Sequence, residues 1–203
     1  LQQVRHFAPN SKVMAVIKAD AYGHGVIQVA QALMQSDAFA VARFSEALTL
    51  RKHGFVQPIT IFEGVSTLEE WQLAAEFELT PVLHQQQHLE FLLKAQIHQP
   101  LPFLWLMLET GMHRLGLPQQ DVIKIIDALE QRSDLVSKLG LMSHFANSDV
   151  LNDGRNIQQL TVMKNLAETT GLPVCMANSA AIISLPESHY DWIRPGLMLY
   201  GAS

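Results

Sequence analysis

Apolar residues recur along the chain in eight short runs that are separated by longer segments of mixed polarity. Most runs are apolar at consecutive positions, so both faces of each would be buried if the run were extended. Strands buried on both faces are typical of a parallel sheet covered by helices. The predicted strands are residues 13–17, 38–44, 59–62, 79–83, 103–108, 139–145, 173–177 and 192–200.

Between the runs, apolar positions follow the period of a helix. Residues 26–34 carry apolar side chains at i, i+3, i+4, i+7 and i+8, and residues 122–129 repeat the first four of these positions. Each segment would therefore present one apolar stripe to a core. The predicted helix-end signals are a capping-box spacing at residues 66–69, Ser45 before a helix that ends near Gly54, and Gly171 before the seventh run.

Eight strands that alternate with helices fit either a (β/α)8 barrel or a doubly wound open sheet, and we favour the barrel. Such barrels usually need about 250 residues, whereas this chain has 203. It begins without methionine and stops directly after the eighth run. We therefore expect one barrel domain over residues 1–203 that is truncated at both ends.

Composition narrows the classes of function. The chain is 48% hydrophobic, which is enough to bury a sizeable core, and its net charge of −5 carries no long basic run of the kind that nucleic-acid binders use. A single cysteine, Cys175, cannot form an internal disulfide, and neither a signal peptide nor a membrane-spanning run is evident. We expect a cytoplasmic protein without a membrane segment. The histidines lack zinc-binding spacing, so we predict no metal site.

Reactive residues of a barrel sit where strands end and the following loops converge. This rule selects Lys18, residues 109–114, His144, residues 178–179 and residues 194–197. Lys18 ends an apolar run, where a partly dehydrated amine can lose its proton and attack a carbonyl. The alternative from position alone is a lysine whose ammonium reaches back to the surface.

The residues around Lys18 decide between these readings. Residues 18–25, KADAYGHG, resemble the cofactor-lysine motif of the alanine racemases. The resemblance continues in the family's order through five further segments. They are SEALTLR at 45–51, TGMHRLG at 110–116, SHFANSD at 143–149, ANSAA at 177–181 and IRPGLMLYG at 193–201.

The resemblance implies a pyridoxal 5'-phosphate site in which Lys18 holds the cofactor and acts as a catalytic base. Tyr22 would donate to the phosphate. Ser179 with its neighbour Asn178, and the backbone around Gly196 and Leu197, would surround it. Barrel phosphate sites are commonly built from the loops after strands seven and eight, which agrees with this placement. Read without the family, Ser179 is a candidate helix cap.

Two arginines complete the implied site. Arg194 would face the pyridine nitrogen of the cofactor, where a permanent cation keeps that nitrogen unprotonated and restricts side reactions. Arg114 would bind the cofactor's phenolic oxygen and the substrate carboxylate with its forked donors. His144 would orient Arg194, while His24 and His113 are interpreted as loop or supporting residues.

For the whole protein, the resemblance implies interconversion of L-alanine and D-alanine by a homodimer. A C-terminal β domain, absent from this chain, would supply a tyrosine to the active site of the partner subunit. That tyrosine would serve the face of the substrate opposite the lysine. We therefore expect the chain alone to bind the cofactor and to racemise alanine very poorly. Whether the D-alanine would enter peptidoglycan or the reaction would serve alanine degradation stays open.

One position departs from the family pattern. Met107 stands where many members have a lysine that can carry a carbamate and orient the equivalent of Arg114. Methionine cannot carry that charge. Glu109 lies two residues on, on the same face of a strand, so we hypothesise that it supplies part of the negative field.

Three alternatives remain at this stage. The first is an amino-acid racemase of broader specificity, such as a serine racemase of this fold type. The second is a single-barrel protein that binds pyridoxal phosphate for cofactor homeostasis, although those proteins lack the ADAYGHG sequence after the lysine. The third is a barrel whose site has decayed, which the combination of Lys18, Tyr22, Arg114, Ser179 and Arg194 argues against.

Overall fold

The strands close into a barrel in which all eight run parallel, in the order of the chain. This computed structural model describes residues 1–202. Closure depends on the pairing of the eighth strand with the first, in which Lys12 lies opposite Trp192 and Val13 opposite Ile193. The strands are Lys12–Val16 (β1), Ala38–Val41 (β2), Ile59–Ile61 (β3), Thr80–Leu83 (β4), Leu104–Met107 (β5), Leu139–Met142 (β6), Val174–Cys175 (β7) and Trp192–Ile193 (β8). The predicted barrel is confirmed and the open sheet is wrong.

Helices cover the outside of the barrel between successive strands. In residues 1–202 the α-helices are Gln2–Phe7 (α1), Lys18–Gly23 (α2), Val26–Ala32 (α3), Phe44–Lys52 (α4), Leu68–Glu76 (α5), Gln86–Lys94 (α6), Gln119–Glu130 (α7), Gly154–Thr170 (α8) and Ser179–Ser184 (α9). Short 3-10 helices span Pro186–Ser188 and Leu197–Tyr200. None of the helices in this part of the chain has the length and apolar character that a membrane crossing requires.

Alternation along each strand divides the apolar side chains into two clusters. On β1, Val13 and Ala15 belong to the cluster between barrel and helices, whereas Met14 and Val16 belong to the cluster that fills the barrel. The inner cluster also contains Trp105 and other large side chains, so the barrel is packed rather than hollow. The apolar runs are continuous because both clusters draw on the same strands.

Large inner side chains need a glycine opposite them. A Cβ at Gly140 on β6 would lie 2.7 Å from ring atoms of Phe103 and Trp105. That distance is below any real Cβ contact, so the two aromatic rings occupy the volume that a side chain at Gly140 would need. Residue size on one strand therefore depends on the neighbouring strand.

Two helix boundaries differ from the sequence prediction and a third agrees with it. Residue Phe44, assigned to the second strand, is the first residue of α4, and Ser45 therefore lies inside the helix instead of before it. Helix α5 is capped by Thr67, whose hydroxyl accepts the amide of Glu70 at 3.1 Å, so the N-cap lies one residue later than predicted, and the Glu70 carboxylate accepts the amide of Ser66. The predicted stop at Gly171 is confirmed, because this residue takes the left-handed conformation at the end of α8.

The eighth run is strand only at its first two residues. Arg194 and Pro195 still bond the backbones of the neighbouring strands' ends, and the chain then turns away into the 3-10 helix Leu197–Tyr200. The physical reason is a contact from the loop after β7: the hydroxyl of Ser179 accepts the amides of Gly196 and Met198 at 2.9 and 3.3 Å. The chain thus wraps around a serine at the carboxyl end of the barrel.

Polar groups seal the amino end of the barrel. The carboxylates of Asp37 and Asp191 each accept a strand amide at 2.8 Å, from Val13 and Val174 respectively. The Arg51 guanidinium donates to four carbonyl oxygens, at 2.7 to 3.1 Å, in the loops that lead into β3 and β4. These side chains provide hydrogen-bond partners for backbone amides and carbonyl oxygens that have none within the sheet or the helices.

Candidate active site

A cavity of about 540 Å³ opens at the carboxyl ends of the strands. Side chains from loops after β1, β5, β6, β7 and β8 line it. The nine residues singled out from the sequence all line this cavity: Lys18, Tyr22, Arg114, His144, Asn178, Ser179, Arg194, Gly196 and Leu197. The fold therefore brings together residues that are distant in the sequence, from Lys18 to Leu197.

Lys18 reaches the cavity because of strand alternation. Met14 and Val16 on β1 point into the barrel, and Lys18 continues the same two-residue period just beyond the end of the strand. Its side chain is half-buried and lines the cavity. In the described part of the chain it forms no ion pair or hydrogen bond, so its amine is free to react with a ligand.

The backbone that follows Lys18 is a single turn of left-handed helix. Ala19, Asp20, Ala21 and Tyr22 have φ between 52° and 55° and ψ between 34° and 56°. Left-handed backbone costs a residue other than glycine about 1–2 kcal/mol, so four in succession are a local concentration of strain. Such strain persists only where surrounding contacts determine it, and it is concentrated at functional sites.

Tyr22 leaves this turn toward the loops after β7 and β8. A Cβ added at Gly196 would lie only 2.6 Å from the Tyr22 hydroxyl oxygen, so the hydroxyl needs the space that glycine leaves. Burial raises the pKa of the Tyr22 phenol, so the hydroxyl stays protonated and can donate to an anion. The absence of a side chain at Gly196 thus admits a donor beside the backbone.

Ser179 stands beside the same place. Its hydroxyl accepts from the amides of Gly196 and Met198. Leu197, between these two residues, lines the cavity with 54% of its surface exposed, so its backbone stays a predicted contact of the phosphate. Two amides and two hydroxyls that converge are the donor set that binds a phosphate in loops of this kind. The residues present therefore fit a phosphate group.

Arg194 is buried at the floor of the cavity with 4% of its surface exposed. Its guanidinium donates to the carbonyl oxygens of Ser143 at 2.6 Å, Cys175 at 3.2 Å and Met176 at 3.3 Å. Burial lowers its pKa from a very high value, and within residues 1–202 no carboxylate forms an ion pair with it. Carbonyl dipoles hold the cation in place and leave its positive charge available to a ligand.

His144 is an acceptor for Arg194. Its Nδ1 lies 3.1 Å from Nη2 of Arg194, and since a guanidinium can only donate, this nitrogen carries no proton. Burial, followed by the charges of Arg194, Arg114 and Lys18, lowers the pKa of His144 to about 3. The ring is therefore neutral near pH 7, with its proton on Nε2.

Gln159 on α8 connects the loops after β5 and β6, and it was not identified from the sequence. Its amide nitrogen donates to Thr110 Oγ1 at 3.0 Å and to the carbonyl oxygen of His144 at 2.9 Å, and its oxygen accepts the amide of Ala146. Thr110 in turn shares a hydrogen bond of 2.8 Å with Ser143. A polar residue at a buried position of α8 was the available signal.

Asn178 lines the cavity, but its side-chain oxygen is already engaged. It accepts the amide of Ala181 at 3.0 Å, which caps α9, and the hydroxyl of Ser148 at 2.8 Å. The helix-cap role that we had considered for Ser179 thus belongs to Asn178. Ser179 instead contacts the amides of the next loop.

Arg114 lines the cavity near His144 and Arg194 and has no ion-pair or hydrogen-bond partner in residues 1–202. Glu109 lines the same cavity but forms no ion pair with Arg114 in residues 1–202, so its contribution to the field at Arg114 stays a hypothesis. The Glu109 carboxylate accepts the amides of Gly111 and His113, the latter at 2.8 Å. Strand β5 ends at Met107, and the loop after it turns so that its own amides surround this carboxylate.

Acidic and imidazole groups do not gather into a metal site. Across the described residues, no three His, Cys, Asp or Glu side chains are arranged to hold an ion. The cavity is lined by the basic residues Lys18, Arg114 and Arg194, by a neutral imidazole, by hydroxyl and amide donors, and by the carboxylates of Glu63, Glu109 and Asp149.

Comparison with known proteins identifies the family. The model of the alanine racemase N-terminal domain matches residues 1–203. The alanine racemase of Nitrosococcus oceani is 48% identical over 203 residues, all of this chain and 56% of that protein. The biosynthetic alanine racemase of Escherichia coli is 37% identical over the same span, again 56% of its length.

Solved structures agree with this match. The structure of alanine racemase from Acinetobacter baumannii is 41% identical with a TM-score of 0.91, covering 100% of this chain and 60% of that one. Biosynthetic alanine racemase from Pseudomonas aeruginosa is 36% identical with a TM-score of 0.94, covering 100% and 56%. These neighbours do not favour the alternatives of broader specificity or cofactor homeostasis. The chain spans little more than half of each relative, and it belongs to the family of alanine racemase N-terminal domains.

Proposed function

We propose that the protein to which this chain belongs is a pyridoxal-phosphate-dependent racemase that interconverts L-alanine and D-alanine. The observation that carries the proposal is the position of Lys18: an amine without a partner in the described residues, in a cavity whose other wall converges two hydroxyls and two amides on one point. The family match supports the substrate, because the relatives are named alanine racemases.

The phosphate of the cofactor would be held by the hydroxyls of Tyr22 and Ser179 and by the backbone amides of Gly196 and Leu197. The Ser179 hydroxyl accepts the amides of Gly196 and Met198, so it would rotate to donate to the phosphate, and the Gly196 amide would turn to the anion. These donors carry no net charge. They would fix the position of a phosphate by geometry.

When bound, pyridoxal phosphate withdraws electrons from the substrate α-carbon and so makes its proton removable. Arg194 would lie at the ring nitrogen, where a guanidinium held by three carbonyls cannot supply a proton. His144 holds that guanidinium from the other side and is itself neutral. We infer that the pair keeps the ring nitrogen unprotonated.

Lys18 would move the proton on one face of the α-carbon, as general base in one direction and general acid in the other. Arg114 would bind the substrate carboxylate, which suits a guanidinium without a carboxylate partner in residues 1–202. We assign no tyrosine of this chain to the opposite face. Tyr22 is committed to the phosphate site, and Tyr200 packs against it with ring centroids 5.1 Å apart.

We further propose that the full-length protein is a homodimer in which the partner subunit supplies the group for the opposite face, and that residues 1–203 alone racemise alanine very poorly. A cytoplasmic location stays a prediction from the cysteine content.

The test begins with pyridoxal phosphate added to the purified chain, followed by borohydride reduction and peptide mass spectrometry. The expected result is a pyridoxyl group on Lys18 alone. A label spread over surface lysines such as Lys52 and Lys94 would refute the cofactor site. A coupled assay with L-alanine then compares the full-length protein with the chain, and an inactive full-length protein would refute the activity.

A further inference from the structure

The motif at residues 45–51 contributes neither to the cavity wall nor to the donor set described above. Within it, Glu46 lies in the first turn of α4, on the helix that follows β2. Its carboxylate nevertheless contacts the strained turn that begins after Lys18. We propose that Glu46 is a positioning residue that holds the left-handed turn and thereby the placement of both Lys18 and Tyr22.

The contact is a single carboxylate between two segments. One oxygen of Glu46 accepts the amide of Ala19 at 2.6 Å, and the other accepts the amides of Ala42 and Arg43, each at 2.9 Å. A carboxylate in the first turn of a helix is also stabilised by the helix dipole. The side chain is therefore fixed on its own helix and extends its free oxygen to the residue next to Lys18.

The turn has different anchors at its two ends. At its far end, Asp20 accepts the amide of Val26 through its side chain and that of Gly25 through its carbonyl oxygen. At its near end, the amide of Ala19 has Glu46 as its partner. Without this partner, Ala19 would lack the contact that opposes its return to an ordinary right-handed or extended conformation.

The consequence reaches the cavity through covalent bonds. Ala19 follows Lys18 directly, so rotation about its φ changes the position of the turn, with Tyr22, relative to the lysine and loosens the backbone on the carboxyl side of Lys18. Tyr22 lies at the end of the same turn, and its hydroxyl fits closely against Gly196. Loss of the Glu46 contact should therefore displace the amine and the phosphate donor together, although Glu46 touches neither.

Two variants separate this role from general support of the fold. Glu46→Gln keeps the length of the side chain but loses the charge. Its single amide oxygen cannot accept both from Ala19 and from the amides of Ala42 and Arg43. Glu46→Asp keeps the negative charge at the start of α4 but is one methylene too short to span to Ala19. The matched control is Glu69→Gln, which removes an exposed carboxylate from the first turn of α5.

The first measurement is hydrogen exchange in the full-length protein without cofactor, on peptides that cover residues 17–25. We expect both Glu46 variants to exchange about tenfold faster than wild type there, since a charged hydrogen bond is lost, and Glu69→Gln to match wild type. Melting temperatures should stay close to that of wild type. Unchanged protection in both Glu46 variants would overturn the proposal, and so would equal loosening across the barrel strands.

The second measurement is borohydride trapping of pyridoxal phosphate on Lys18, with kcat and KM for alanine. This part rests on the proposed function. We expect trapping and kcat to fall by about tenfold in both Glu46 variants, with a smaller change in KM. Full trapping in Glu46→Asp would refute the positioning role. If pyridoxal phosphate is not trapped at Lys18 even in the wild-type protein, the proposed function is refuted. The role of Glu46 in holding the turn is then judged from the hydrogen-exchange measurement, which uses no cofactor.

Discussion

Lys12 and Lys18 project from the same face of the first strand, one at each end of the barrel, and their surroundings are opposite. The Lys12 ammonium lies 5.3 Å from the ring centroid of Trp192, at the end where Asp37 and Asp191 accept strand amides. Lys18 enters a cavity with two further cations and has no partner in residues 1–202. Lys12, Asp37 and Asp191 thus have partners within the chain at the amino end, whereas Lys18 at the carboxyl end is available for a ligand.

This contrast teaches that one strand can carry structural and reactive lysines with the same sequence pattern. The amino end has fixed partners for its charges, while the carboxyl end holds a strained turn and unpaired cations. Residues at the amino end should therefore control stability, and those at the carboxyl end should control cofactor binding and turnover. Variants at the two ends should therefore have different effects on stability and on turnover.

Replacement of the two lysines should give the sharpest contrast. Lys18→Ala removes the amine that we propose to hold the cofactor and move the proton, so kcat of the full-length protein should fall by about four orders of magnitude. Lys12→Ala should keep most activity, because its ammonium packs on Trp192 at the far end. Racemase assays and borohydride trapping measure both. Covalent cofactor in Lys18→Ala would contradict the assignment.

Arg51 tests the amino end. Arg51→Met leaves four carbonyl oxygens without their charged donor, so the free energy of unfolding should fall by about 3 kcal/mol. Lys52→Met, at the exposed neighbouring position on α4, is the control and should change little. Denaturant titration measures the loss. A marked decrease in cofactor affinity at temperatures where the variant is folded would contradict the separation of the two ends.

His88 limits this division to the cavity itself, because it lies outside the cavity, on α6 after β4, and should affect stability. It is buried against Trp71, and neither ring nitrogen has a hydrogen-bond partner in the described residues. Burial, followed by the neighbouring charge of His84, lowers the pKa of His88 from 6.5 to about 4. Between these values the unfolded chain binds a proton that the folded chain does not, so stability falls as the pH is lowered through that window.

His88→Leu removes this dependence. The difference in unfolding free energy between about pH 7 and about pH 5 should shrink by about 2 kcal/mol. The exposed His98→Leu is the matched control and should keep the wild-type difference. Urea titrations at the two pH values measure it, and an unchanged difference in His88→Leu would show that another group is responsible.

Gly196 gives the smallest effect and the most local one. In Gly196→Ala the new methyl would meet the Tyr22 hydroxyl at 2.6 Å, so Tyr22 must move and affinity for pyridoxal phosphate should fall by about tenfold. Gly154→Ala is the control, since nothing lies within 4 Å of the position of its Cβ. Absorbance titration with the cofactor measures affinity. Equal affinity in both variants would remove Gly196 from the phosphate site.

Much of the fold was predictable, because strand alternation and helical periodicity are local properties. The eight runs form the eight strands, and the segments around Val26 and Val122 form helices. The end of the eighth run was not predictable, because Ser179 captures its amides from a different loop. The start of α4 was misplaced, since apolar Phe44 suits a strand and a helix equally.

The candidate site divides in the same way. Residues at strand ends could be named from the motifs, and the barrel brings all nine into one cavity. Gln159 and Glu46 could not, because each acts through a hydrogen bond to a distant segment. Nor could the sequence show that Glu109 turns to its own loop, since two-residue spacing applies only while the strand continues.

The alternation of strands and helices, and the lysine, arginine and serine side chains at the strand ends, could be read from the sequence. The partners of the charged groups, the protonated nitrogen of His144 and the contact of Glu46 with the left-handed turn depend on the tertiary structure. The physical reason is range: periodicity depends on neighbours in the chain, whereas burial and hydrogen bonding depend on neighbours in space.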